Sequence, residues 1–212
     1  MPRRRKPVVA LDVDGTLAQY HAHFIRFASE WTGKEIPLGY NGKVPFPQWC
    51  GMSKARYRQC KLAYRQGGMK RSMPTYPYAR ELTVGLRRAG AEVVICTTRP
   101  YLHLSNIEPD TLHWLRRNGI QYDDIIIGEH KYRQLAREYG KENIVMCLED
   151  QEDQLLVGAT IGLPMIAAVR AHNAFLLEPP NDIFHPVFDL DAARALGVRK
   201  VQEWKAAARK VK

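Results

Sequence analysis

At 212 residues the chain has the length of one domain with a proper core, or of one domain carrying a sizeable insertion. Hydrophobic residues at 45% and charged residues at 25% describe an ordinary globule, and no apolar run approaches a membrane span. The formal net charge of +10 raises the local concentration of anions and steers phosphorylated partners towards the chain.

The N-terminal MPRRRKP leads straight into a strand without the apolar core of a signal peptide, so a cytoplasmic location is expected. Cys50, Cys60, Cys96 and Cys147 show no C-x-x-C pair and no zinc-ligand spacing, and a reducing compartment suits them. Positive residues gather at both tips, PRRRK at 2–6 and VRKVQEWKAAARKVK at 198–212. These are either solvated tails or a nucleic-acid contact.

The first element is VVALDVDGTLAQ, residues 8–19. A short β-branched run delivers Asp12 and Asp14 to a glycine-threonine turn. Side chains alternate along a strand, so the two carboxylates leave on the same side, and such a pair calls for a cation. An EF-hand loop is excluded because Leu17 stands where its glycine is needed and His23 where its glutamate is needed.

Residues 18–75 differ in character from the remainder of the chain. Phe24, Ile25, Phe27 and Trp31 recur at helical spacing up to Gly33, IPLGYNGKVPFPQWCG reads as loop, and SKARYRQCKLAYRQGG predicts a basic helix stopping at Gly67 and Gly68. The whole is expected to be a small, mostly helical insertion. Phe24, Phe46, Trp49, Tyr57 and Tyr64 are either its core or stacking partners for a planar group.

From Tyr78 the pattern is regular. Helices are predicted from about Ala79 to Gly90, Asp110 to Gly119, Lys131 to Gly140 and, as helix or turn, over Gln151 to Ile161. Between and after them run the apolar strands AEVVICT, DDIIIG, NIVMCLED and, last, PMIAAV. Such strands suit a parallel sheet covered on both faces, so the expected fold is α/β and Rossmann-like, with core residues 1–17 and 76–212 and the insertion at 18–75.

In open α/β sheets ligands bind beyond the carboxyl ends of the strands. Those ends are polar here. The second core strand closes on Thr97, Thr98 and Arg99, hydroxyls and a guanidinium able to hold phosphate oxygens. The third is followed by Glu129, His130 and Lys131, whose ammonium can neutralise carboxylates and phosphate together. The fourth ends in Glu149 and Asp150, with Asp153 close behind, and completes an oxygen-rich site suited to magnesium.

These four elements, DVDGT at 12–16, Thr97, Lys131 and the acidic pair at 149–150, resemble the signature of the haloacid dehalogenase superfamily of phosphohydrolases. DVDGTLAQY, SMPTYPYARELTVGL and EVVICTTRP are similar to the 5′(3′)-deoxyribonucleotidases and related phage and bacterial nucleotidases. Glu149 departs from the aspartate of many relatives.

The resemblance implies a magnesium-dependent phosphomonoesterase acting on nucleoside monophosphates. Asp12 would form an aspartyl-phosphate, and Asp14 would act as acid and then base. Magnesium would sit on Asp12, Asp150 and the Asp14 carbonyl. Thr97, Lys131 and the turn amides around Gly15 would hold the phosphoryl oxygens, with Thr98 and Arg99 as further substrate contacts. The insertion would be a cap reading the leaving group. Two rivals remain. One is a polynucleotide 3′-end phosphatase, without a kinase half because no G-x-x-x-x-G-K-[ST] occurs. The other is a basic nucleic-acid-binding protein on an inactive scaffold. At the C-terminus Val201, Trp204, Ala208 and Val211 predict an amphipathic helix, docked on its own domain or pairing with another subunit.

Overall fold

The computed structural model describes residues 6–99, 103–177 and 184–210. Its centre is a six-stranded, wholly parallel sheet in the order β3-β2-β1-β4-β5-β6. The strands are β1 (Val8–Leu11), β2 (Glu92–Thr97), β3 (Asp124–Ile127), β4 (Ile144–Glu149), β5 (Met165–Ala168) and β6 (His185–Val187).

Alternation along β1 divides two cores. Val9 and Leu11 face one cluster, and Val8 and Ala10 face the other, with all four side chains buried. The first cluster lies under α4 (Ala79–Ala89), α5 (Ile107–Arg117) and α8 (Leu190–Lys210), the second under α6 (Lys131–Tyr139) and α7 (Glu152–Thr160). Burial on both faces is why β1 reads as an uninterrupted apolar run.

Between β1 and α4 the chain makes a helical excursion of α1 (Tyr20–Thr32), α2 (Phe46–Trp49) and α3 (Lys54–Gln66), closing with a 3-10 turn over Met69–Ser72. α1 ends as expected, with Gly33 at φ 66 accepting the left-handed conformation that closes a helix. The stem of the excursion is stitched by Gln19 N–H to Pro74 O at 2.9 Å and Tyr76 N–H to Leu17 O at 2.8 Å. Phe24 and Tyr64 are fully buried, and Phe46, Trp49 and Tyr57 pack against the same aromatic cluster, so these rings form the excursion's own core.

Some element boundaries differ from expectation for local reasons. PMIAAV is not the last strand: β6 adds an edge that contains Pro186, too short and too proline-marked to read as a strand. α2 forms inside the predicted loop, with Pro47 in its first turn and Trp49 Nε1 donating to Pro37 O at 2.9 Å. α5 starts at Ile107 because Pro109 falls in its first turn, where a missing N–H costs nothing. α8 begins well before Val201, the first residue of the expected amphipathic stripe, and is capped by Asp189 Oδ1 accepting from Ala192 N–H at 2.7 Å. Leu190, Ala193, Leu196, Gly197 and Val201 bury its apolar face on its own domain, and Trp204 Nε1 donates to Glu142 O at 3.0 Å. Val211, Pro100 and the arginines at 3–5 lie outside the described residues.

Among the described residues no helix is long and apolar enough to cross a membrane, and all four cysteines are buried and free.

α8 approaches the sheet at Gly197, where a Cβ would stand 2.6 Å from Leu86 Cδ2 and 3.1 Å from Met146 Sδ. Gly197→Val is therefore expected to destabilise the fold by about 1–3 kcal/mol through overpacking, read as a lower urea midpoint at unchanged slope.

Candidate active site

The strand ends β1, β2 and β4, with the first residue of α6, converge on one set of buried ionisable groups. Asp12, Lys131, Glu149 and Asp150 form one buried cluster, Asp14 pairs with Arg99 near it, and Thr97 is the last residue of β2.

Lys131 is its electrostatic centre. It is 1% exposed, and its Nζ lies 2.6 Å from Asp12 Oδ1 and 2.5 Å from Glu149 Oε2. Burial alone would lower its pKa, but the charges of Asp12 and Glu149 outweigh burial and hold the ammonium protonated. Glu149 is saturated. Its Oε2 also accepts from Tyr132 Oη at 2.9 Å, and its Oε1 accepts from the Asp150 and Gln151 N–H groups at 3.1 Å each. Glu149 thus positions Lys131 and the start of the turn after β4.

Asp150 faces the same space from the other side. Thr16 Oγ1 donates to its Oδ1 at 2.9 Å, and His172 Nε2 contacts its Oδ2 at 2.8 Å. Asn173 Nδ2 ties the Asp150 carbonyl at 2.7 Å to that of Ala168 at 3.0 Å. Gly15, at φ 92, is needed here, since a Cβ would run into the Asp150 carboxylate. Its N–H is engaged inside the turn on Ala18 O at 2.9 Å.

Oxygens of Asp12, Glu149 and Asp150 all lie within 4.8 Å of one another, and Asp12 Oδ2 is buried with no partner. Burial, then the charge of Glu149, raises the Asp12 carboxyl above the ordinary range against the pull of Lys131. A buried orphan carboxylate oxygen facing a second carboxylate, where a Cβ is not tolerated, is a donor set that fits a hard divalent cation. With Glu149 committed elsewhere, Asp12 and Asp150 are the carboxylates left to hold it. Asp153 stands apart, exposed, its Oδ1 accepting Gln154 N–H at 2.9 Å.

Asp14 turns to different cations. Arg99 Nη1 reaches both its oxygens at 2.9 Å, and Lys70, in the 3-10 turn of the excursion, forms an ion pair with Oδ2. Burial works against its ionisation, but Arg99 and then Lys70 hold the carboxyl well below the usual range. Thr97 Oγ1 and Thr98 Oγ1 are buried and have no hydrogen-bond partner.

Sequence reasoning missed Lys70, Arg170, His172 and Asn173. Arg170 braces the first turn by donating to Thr16 O at 3.0 Å and Gly15 O at 3.3 Å, and lies over the Tyr76 ring at 4.0 Å. The polar run Arg170–Asn173 directly after an apolar strand is the one signal that could have found three of them. Lys70, among several basic residues of a helical segment, carries no such signal. A cleft of about 500 Å³ opens beside Asp150, lined by Tyr40 and Gly42 to Pro45 of the excursion and by Gln151, His172 and Phe175.

The fold is that of the haloacid dehalogenase-like hydrolases, with a buried acid cluster at the sheet's carboxyl edge. A haloacid dehalogenase-like hydrolase from Streptococcus pneumoniae superimposes with a TM-score of 0.64 at 16% identity, over 90% of this chain and 97% of that one. A predicted phosphatase from Clostridium acetobutylicum gives 0.61 at 16% identity, covering 91% and 98%. In sequence, the chain is 27% identical over 187 residues to a Chlorobaculum tepidum protein described as "Putative 5'(3')-deoxyribonucleotidase", covering 86% of this chain and 89% of the relative. No family profile matches the chain.

A divalent cation on Asp12 and Asp150 would raise the melting temperature in magnesium, and Gly15→Ala is expected to abolish that rise because its Cβ would displace Asp150. For the unaltered chain that rise corresponds to about 2.7 kcal/mol at a hundredfold excess over Kd, and differential scanning fluorimetry across a magnesium series reads both.

Proposed function

We propose that the protein is a magnesium-dependent phosphomonoesterase that works through an aspartyl-phosphate on Asp12, with nucleoside monophosphates as its substrate class. The observation that carries the chemistry is the unpartnered Asp12 oxygen, buried beside Asp150 and next to an ammonium fixed by Glu149. The nucleotide assignment is supported by the likeness to nucleotidase motifs and by the Chlorobaculum relative.

In this reading a carboxylate oxygen of Asp12 attacks phosphorus, the ester P–O bond breaks, and the leaving oxygen takes a proton from Asp14. Water then attacks phosphorus and gives a proton to Asp14, and the Asp12–phosphorus bond breaks to release phosphate. Asp12, Asp150 and the Asp14 carbonyl would hold a divalent cation, whose positive charge would offset repulsion between carboxylate and phosphate.

Lys131 and the free Thr97 hydroxyl hold the phosphoryl oxygens. Thr98 stands beside them as a further contact. Gly15 serves by leaving room for Asp150. With Arg99 and Lys70 on it, Asp14 is held ionised, and it takes up a proton only when those cations turn away from it. It donates one only after those cations turn to the substrate. The excursion, residues 18–75, acts as a cap over this edge.

Under this mechanism Asp12→Asn eliminates magnesium-dependent phosphate release from deoxynucleoside monophosphates, and Asp14→Asn lowers kcat by about 10²–10⁴-fold. Turnover surviving Asp12→Asn would overturn the covalent route. Salt-dependent binding to DNA without any phosphate release would favour the binding-protein alternative.

A further inference from the structure

Asp14 is approached by two buried basic side chains. Arg99 is 1% exposed and Lys70 2%, and both are directed at this one carboxylate. The charge of Arg65, itself 3% exposed, also acts on it. Asp110, another buried carboxylate, lies beside Gly68 and is engaged by Asn106 Nδ2 at 2.7 Å and Arg71 Nε at 3.7 Å. A buried guanidinium with unused hydrogen-bond donors is costly, and an anion bound against those donors resolves the cost.

The geometry of Arg99 shows where that anion would go. Its Nη1 alone serves Asp14, accounting for both 2.9 Å bonds, while Nε and Nη2 are buried with no partner. Those two nitrogens form the edge of a guanidinium that grips a carboxylate or phosphate bidentately. The Thr98 hydroxyl, one residue away, is also unpartnered. Lys70 reaches in from the helical excursion and Arg99 from the end of β2, so the pair exists only where the two parts of the chain face each other.

This charge is separate from that serving the phosphoryl group. Lys131 lies between Asp12 and Glu149, whereas Lys70 and Arg99 lie on Asp14, and the two sets share no carboxylate. In the phosphatase mechanism, on which this inference rests, Asp14 faces the leaving oxygen. The cations on it therefore flank the leaving portion of the substrate.

We propose that Arg99 and Lys70 form a second anion subsite, which takes a phosphate or carboxylate carried on the leaving portion of the substrate. A doubly anionic ester is then preferred to its singly phosphorylated counterpart. Among nucleotides, that means a bisphosphate over a monophosphate.

The test compares matched esters on the unaltered chain with magnesium present: deoxynucleoside 3′,5′-bisphosphate against the 5′- and 3′-monophosphates, and 3-phosphoglycerate against glycerol 3-phosphate. The doubly anionic member should show kcat/KM higher by about tenfold or more, as a charge-assisted hydrogen-bonded contact allows. A preference confined to one pair identifies the second group as phosphate or carboxylate. Lys70→Met and Arg99→Met should each collapse the preference to about twofold or less. Equal kcat/KM within both pairs overturns the subsite while leaving the phosphatase standing. Absence of phosphate release from every ester is instead a failure of the phosphatase reading. Calorimetric binding of the same pairs then still decides the subsite, with equal affinities overturning it. The comparison on the unaltered chain needs no variant to fold.

Discussion

The site depends on one buried ammonium. Lys131 joins the end of β1 to the end of β4 through Asp12 and Glu149, and without it two carboxylates would be buried side by side with nothing between them. Removing one partner from such a set costs several kcal/mol because the remaining charge stays buried, so the three side chains stand or fall together. Glu149 carries the arrangement outward through Tyr132 and two backbone amides, leaving one oxygen of Asp12 as the uncommitted group in the cluster. A fixed cation, a bare carboxylate oxygen and a second carboxylate opposite are the parts a charged nucleophile needs to approach a charged phosphate.

Around that centre the charge is divided unevenly. The sheet contributes most of the acids, at the ends of β1 and β4. Cations come from α6, from the end of β2 and, through Lys70, from the helical excursion. Asp12 and Asp14 are only two residues apart, yet they answer to different cations. Under the proposed mechanism one would face the phosphoryl group and the other whatever the phosphate is attached to. Through Lys70 the excursion reaches that second acid, so its packing and the chemistry are linked: the same segment that buries Phe24 and Tyr64 in its own aromatic core also sets the charge on Asp14.

The parallel sheet was legible because strands buried on both faces leave an unbroken apolar signature, and five of its six members carry it. β6 escaped because three residues with a central proline resemble a loop, and only pairing with β5 makes them a strand. The four polar strand ends were legible because chemistry at a sheet edge interrupts an apolar run abruptly. Glu149 was visible without its task, since nothing local says that its four bonds go to Lys131, Tyr132 and two amides. The role of Lys70 was invisible for a related reason. A single lysine among basic neighbours looks solvated, and its burial comes from how the excursion folds back over the edge of the sheet. His172 and Asn173 stand after a strand whose apolar run is plain, but their contacts with Asp150 span more than twenty residues and come from tertiary packing alone.

The central claim is that Asp12 carries the phosphoryl group. The direct measurement is to quench the magnesium-loaded protein with acid during turnover of a deoxynucleoside monophosphate, reduce the acyl phosphate with borohydride, and map the modified residue by peptide mass spectrometry. Modification at Asp12 and nowhere else is the predicted result. An unmodified Asp12 in a sample that releases phosphate, or modification at Asp14 or Asp150 instead, would contradict it.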